Sequence, residues 1–117
     1  MRGPFALSFR KAGRTVILGK VVWVGDSWVF GVPYRTRRLS TPSLPLAALE
    51  FLERAGVTHW VVRLDSVGRA YALPLSQVRS VGAVRDGEIY VPLRRFAPCP
   101  YPDWSYVTEV VEVRPCE

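Results

Sequence analysis

Lysine is nearly absent from this chain, which carries two lysines against fourteen arginines, and histidine and methionine occur once each. Cysteine occurs twice, as Cys99 and Cys116. One histidine and two cysteines are too few nitrogen and sulfur ligands for a structural zinc site, so neither a metal nor a cofactor is expected. Long apolar runs are missing as well. The N-terminal run over 4–9 is cut off by Arg10 and Lys11, too short for a signal-peptide core or a membrane span. This leads to a cytoplasmic reading with no membrane partner. Reducing cytosol disfavours disulfides, so Cys99 and Cys116 are expected as two independent thiols. No Walker or dinucleotide-binding glycine pattern is present, and Ser8, Ser40 and Ser66 lack the surroundings of a nucleophile elbow. His59 stands between Thr58 and Trp60 without a nearby cysteine or acidic partner, so a dyad with Cys99 depends wholly on the fold. No catalytic residue is assigned, and the chain reads as non-enzymatic.

What is present is the composition of a packed domain. Hydrophobic residues make up 49% and charged residues 22% of 117 residues, far from the signature of disorder and of a size for one domain over 1–117. Charge is distributed unevenly. Residues 1–40 hold Arg2, Arg10, Lys11, Arg14, Lys20, Arg35, Arg37 and Arg38 against Asp26 alone, whereas the remainder holds eight basic and nine acidic residues. All the net positive charge therefore originates in the first third, an asymmetry that points to an anionic partner. Arginine suits planar, bidentate contacts to phosphate or carboxylate. GC-rich coding is the other source of such a bias, and an arginine- and proline-rich makeup also accompanies thermal adaptation.

Periodicity predicts an α+β fold with a twisted, mostly antiparallel sheet of seven or eight strands in the order βββ-α-ββ-ββ-β. Phe5, Leu7 and Phe9 alternate with Ala6, Ser8 and Arg10, the period of a half-buried strand. A turn at Gly13-Arg14 leads into β-branched and aromatic residues over 15–24, and Gly25-Asp26-Ser27 separates these from a second such run over 28–34. Together 1–40 form a basic β-ribbon region. Gly19 and Gly31 within the strands predict bulges or a close approach by another backbone. One helix is expected over 43–55, capped by Ser43 or Thr41, with prolines 42 and 45 at its start and Gly56 in the left-handed position after its end. Its apolar face is Leu44, Ala48, Phe51, Leu52 and Ala55.

The region 57–117 reads as a second β region. Strands over 57–64 and 69–75 precede a helical turn at Ser76-Gln77-Val78, and Asp86-Gly87 is a hairpin turn between 81–84 and 89–91. Tyr71 leads to Pro74-Leu75-Ser76-Gln77-Val78, and Tyr90 leads to Pro92-Leu93-Arg94-Arg95-Phe96, so a strand leaving through Pro-Leu-x-x-apolar occurs twice. Prolines 98, 100 and 102 predict an extended loop over 97–103, and 106–113 closes the chain as an alternating strand.

The best candidate site is Tyr34-Arg35-Thr36-Arg37-Arg38, three guanidinium groups beside an aromatic ring, just after a hairpin containing Trp23, Trp28 and Phe30. Arginines hold phosphate oxygens and aromatic faces stack bases, the combination found in single-strand and RNA binders. The leading expectation is a nucleic-acid-binding protein, single strands or RNA favoured, with Arg35, Arg37 and Arg38 on phosphates, Tyr34 or Trp28 stacking, and Arg10, Lys11 and Lys20 completing the basic face. The opposing expectation buries the aromatics in the core. A different class of function is also supported: Tyr101, Trp104 and Tyr106 in or beside the proline-rich loop suit a protein-interaction module, a small regulator or inhibitor whose basic face meets an acidic protein surface. Edge strands allow a homodimer.

One resemblance gives a third expectation. The helix followed by Trp60-Val61-Val62-Arg63-Leu64-Asp65 and then Tyr71-Ala72-Leu73-Pro74-Leu75 resembles the later part of PD-(D/E)xK endonuclease domains. Those domains need clustered carboxylates to hold Mg²⁺, usually with a lysine nearby. Here no Glu-x-Lys follows Asp26, and the corresponding place reads Val32-Pro33-Tyr34. The resemblance thus implies a degenerate nuclease domain.

Overall fold

A computed structural model describes residues 4–36, 40–100 and 109–113. Strands β1 (Phe5–Lys11), β2 (Arg14–Val24) and β3 (Ser27–Tyr34) form the antiparallel meander that the sequence predicts. However, β1 is not half-buried: Ala6 and Ser8 are buried as fully as Phe5 and Leu7, because both faces of the sheet are covered there. Ala12 and Gly13 make the first turn, both at positive φ, and Arg14 already belongs to β2, pairing with Lys11. The turn therefore falls one residue earlier than Gly13-Arg14. Between Leu7 and Ser8 the register shifts, since their partners are Gly19 and Ile17 and Leu18 is the extra residue of a bulge. Gly19 is the predicted close approach: a Cβ there would lie 2.5 Å from the carbonyl oxygen of Gly31 and 2.9 Å from the ring of Phe30.

The expected helix over 43–55 begins later. Ser43–Pro45 is a short strand, β4, and α1 covers Leu46–Arg54. Neither Ser43 nor Thr41 caps it; Pro45 holds the N-cap position without a side-chain hydrogen bond. The cap comes from elsewhere in the chain, because the Leu46 N–H donates to the carbonyl of Gly87 at 2.9 Å. Gly56 does take the left-handed conformation after the helix, at φ +80°. The buried face is Ala48, Leu49 and Leu52, with Phe51 and Ala55 half-buried beside it and Leu44 buried on β4 instead.

The chain repeats this exit from a strand twice more. Pro74 precedes a second helix, α2 (Leu75–Val81), where only a turn over 76–78 was expected, and Pro92 precedes a 3-10 turn at Leu93–Arg95. Pro45, Pro74 and Pro92 share one backbone conformation, with φ of −58°, −58° and −59° and ψ of 137°, 133° and 136°. In each case the following leucine N–H reaches a distant carbonyl at 2.9 Å: Leu46 to Gly87, Leu75 to Thr58 and Leu93 to Ser40. Proline fixes φ and has no N–H to satisfy, so it ends a strand and admits a helix at the next residue.

Strands β5 (His59–Leu64), β6 (Arg69–Pro74), β7 (Ala83–Arg85), β8 (Glu88–Tyr90), β9 (Ala97–Cys99) and β10 (Glu109–Val113) complete the fold. A seven-stranded mixed sheet has the order β10-β1-β2-β3-β5-β6-β9, and a three-stranded sheet has the order β4-β8-β7. Pairing is mostly antiparallel; β1 with β10 and β3 with β5 are the parallel junctions. The proline-rich stretch expected as loop begins as strand β9, with Pro98 opposite Tyr71. At a sheet edge proline's missing donor costs no ladder bond. Helices and the small sheet cover one face of the large sheet, where Leu7, Val21, Phe30, Trp60, Val62, Leu73 and Ile89 are fully buried. Val22, Val29, Val61 and Ala70 form a second cluster on the other face. Among the described residues no helix is long and apolar enough to cross a membrane.

Candidate nucleic-acid interface

Strand direction decides where the basic residues gather. β1, β3 and β5 run one way and β2 and β6 the other. The ends of the first three and the starts of the other two therefore share one end of the sheet. Arg10 and Lys11 close β1, Arg14 opens β2, Arg35 follows β3 and Arg69 opens β6, so these five form a rim there, all exposed. Among the described residues no ion pair engages any of them. Arg63, near the end of β5, differs: its Nε donates to Asp65 Oδ1 at 2.9 Å.

Two hydrogen bonds to backbone carbonyls hold the rim in place. The Asp65 N–H donates to the Tyr34 carbonyl at 3.0 Å, and Ser66 Oγ donates to the Thr36 carbonyl at 3.1 Å. The segment bearing Arg35 is thereby tied to the β5–β6 turn.

Carboxylates border the rim on one side. Asp86, Gly87 and Glu88 at the β7–β8 turn meet Phe9, Lys11, Val16, Leu18 and Pro45 around a cavity of about 350 Å³. Asp86 and Gly87 are both at positive φ, the turn that Asp-Gly predicts.

The aromatic residues expected beside the arginines are arranged differently. Tyr34 is half-buried against the core, and burial, with a smaller effect of nearby Glu88, raises the pKa of its phenol. Trp28 is also half-buried and sits at the start of β3, about 23 Å of strand from Arg35 at the usual rise per residue. Its ring packs edge-on against Trp23, with centroids 4.9 Å apart, and Trp23 is 53% exposed. Trp28 and Arg35 are not brought together. Lys20 pairs with Ala6 and Gly31 on the sheet face away from α1, half-buried and off the rim. Arg37, Arg38, Tyr101, Trp104, Tyr106 and Cys116 lie outside the described residues.

The other chemical possibilities meet specific geometry. His59 and Cys99 border one shallow groove, yet His59 pairs with Pro74 and Cys99 with Ala70, four residues apart along β6, which is about 13 Å. Thr58 Oγ1 lies 2.8 Å from His59 Nδ1, and burial raises the pKa of the Cys99 thiol, contrary to what a nucleophile needs. Cys99 is a free thiol. Asp26 and Asp65 fall at opposite ends of the sheet, and among the described residues no three His, Cys, Asp or Glu side chains cluster as metal ligands.

Sequence reasoning missed Arg69, because only the strand order shows that it joins Arg10 and Arg14. It also missed Arg85 and Tyr90, whose stacking across the β7–β8 hairpin depends on register. Comparison with protein-family models, curated proteins and solved structures finds no match.

Proposed function

We propose that this protein binds nucleic acid, single strands or RNA in preference to duplex DNA, without catalysis, through the basic rim at one end of the large sheet. The observation carrying this reading is the convergence of Arg10, Lys11, Arg14, Arg35 and Arg69 from four strands, exposed and without ion pairs among the described residues. Cations that form no ion pair keep their charge available for phosphate oxygens, and arginine adds bidentate geometry.

Anisotropy titration of labelled single-stranded DNA, RNA and duplex DNA at two salt concentrations tests it. Binding is expected to weaken steeply with salt, and each phosphate contact removed from a single strand lowers the log–log slope by about 0.7. Arg10→Ala with Arg14→Ala, and separately Arg35→Ala, should weaken binding to all sequences alike. Unaltered binding in these variants, or none at low salt, would sink the proposal.

A second reading rests on Trp23. An indole 53% exposed at the far end of the sheet suits a protein contact. On that reading Trp23→Ala abolishes capture of a protein partner while oligonucleotide titrations stay flat for both proteins.

A further inference from the structure

We infer that the groove on the small sheet, built from Arg85 and Tyr90, takes an unpaired base of the strand whose phosphates the rim holds; this rests on the nucleic-acid reading above. The Asp86-Gly87 turn sets the register, pairing Arg85 with Glu88 and Ala83 with Tyr90. Alternate residues of a strand share a face, so Ala83, Arg85, Glu88 and Tyr90 lie on one side of the hairpin. Arg85 places its guanidinium carbon 4.9 Å from the centroid of the Tyr90 ring. Tyr90 lies between two small neighbours, Ala83 on β7 and Ser43 on β4, and an open groove of about 480 Å³ results, lined by Thr41, Ala83, Val84, Arg85 and Tyr90.

These groups have the chemistry to hold a nucleobase. A guanidinium plane and a phenol ring both stack flat π-systems, and guanidinium next to an aromatic ring adds cation–π attraction. Among the described residues no ion pair engages Arg85. The Tyr90 hydroxyl is committed to Glu88 Oε2 at 3.3 Å, leaving the Thr41 hydroxyl as donor or acceptor for a base edge.

Position favours a base over a phosphate. The turn of this same hairpin, with Asp86 and Glu88, borders the cavity shared with Lys11 of the rim, so one hairpin carries the groove and meets the rim. Glu88, on the same face as Arg85 and Tyr90 and accepting the Tyr90 hydroxyl at its Oε2, brings a carboxylate to the groove and disfavours phosphate beside the ring. Bases in a duplex have their faces covered by neighbours, so the groove selects unpaired ones.

The test pairs a 2-aminopurine-containing single strand with an otherwise identical strand made abasic at that position. Wild-type protein should change the 2-aminopurine fluorescence, and Tyr90→Ala should weaken binding of the base-bearing strand about tenfold while leaving the abasic strand unaffected. Tyr90→Phe keeps the ring and should bind as wild type, which separates lost stacking from a misfolded hairpin. Arg85→Gln should fall between the two. Equal losses on both strands, or none in Tyr90→Ala, would overturn the groove assignment and leave the rim reading standing. A loss in Tyr90→Ala with no effect of Arg10→Ala, Arg14→Ala or Arg35→Ala would overturn the rim and retain the groove. Failure of any strand to bind at low salt overturns both.

Discussion

Arg79 on α2 grips Glu53 on α1 through two nitrogens, Nη2 to Oε1 at 2.7 Å and Nε to Oε2 at 3.2 Å. The pair is bidentate but solvent-facing, with side chains 49% and 35% exposed, so water screens much of its attraction. A double-mutant cycle on Glu53→Ala and Arg79→Ala should give a coupling of about 0.5 kcal/mol in urea unfolding. The coupling should shrink in high salt. A value indistinguishable from zero at low salt would show that this ion pair adds nothing to the stability of the fold.

Gly19 has no room for a side chain. A Cβ would meet the Gly31 carbonyl oxygen at 2.5 Å, and that atom belongs to the backbone of the neighbouring strand. Gly19→Ala should destabilise by about 2 kcal/mol, because β2 and β3 must part to admit the methyl. Chemical denaturation measures this, and an unchanged midpoint contradicts the packing.

Ala12 occupies the left-handed region at φ 51°, where a Cβ crowds the following carbonyl. Asparagine tolerates that conformation, and Asn-Gly is the favoured pair for such a hairpin turn. Ala12→Asn should therefore stabilise the protein by about 1 kcal/mol, read as a rise in Tm. A fall in Tm would contradict the strain assigned to this turn.

Burial raises the native pKa of Tyr34 above its ordinary value of 10.0, with Glu88 adding to the effect. The native state thus holds this proton more tightly than the unfolded chain does. The resulting stability is fully present below pH 10 and is lost as pH rises through the native pKa. Unfolding free energy should decline above pH 10, and Tyr34→Phe should make that decline shallower. Parallel curves for the two proteins would mean that Tyr34 ionises as freely folded as unfolded.

Asp86 borders the cavity that Lys11 shares with the β7–β8 turn, and its charge opposes a nearby phosphate. Asp86→Asn keeps a residue suited to positive φ and removes the charge. If the rim binds nucleic acid, this variant should bind an oligonucleotide about threefold more tightly at low salt, with the gain fading as salt rises. Weaker binding would argue that the carboxylate contributes to recognition.

Much of the fold was legible because local chemistry specified it. Alternating Phe5, Leu7 and Phe9 wrote β1, Asp86-Gly87 wrote a hairpin, and Gly56 marked the end of α1. The three-residue strands β4 and β9 were not legible. So short a segment has no measurable period, and Pro98 argues locally against a strand that its position at the sheet edge permits. Helix capping misled for a related reason: Ser43 and Thr41 are good local caps, but the Leu46 N–H found the Gly87 carbonyl, 41 residues away in the chain.

By itself the sequence determined the α+β class, the turns and the excess of positive charge in the first third, since each depends on residue type and near neighbours. Tertiary structure alone decided how that charge is arranged. Strand direction brought Arg69 to the same end as Arg10, Arg14 and Arg35, and strand length held Trp28 at the other. Hairpin register set Arg85 over Tyr90. Such relationships depend on which strands become neighbours, and that choice follows from burying Phe30, Trp60 and Leu73 in one core rather than from any residue of the rim or groove.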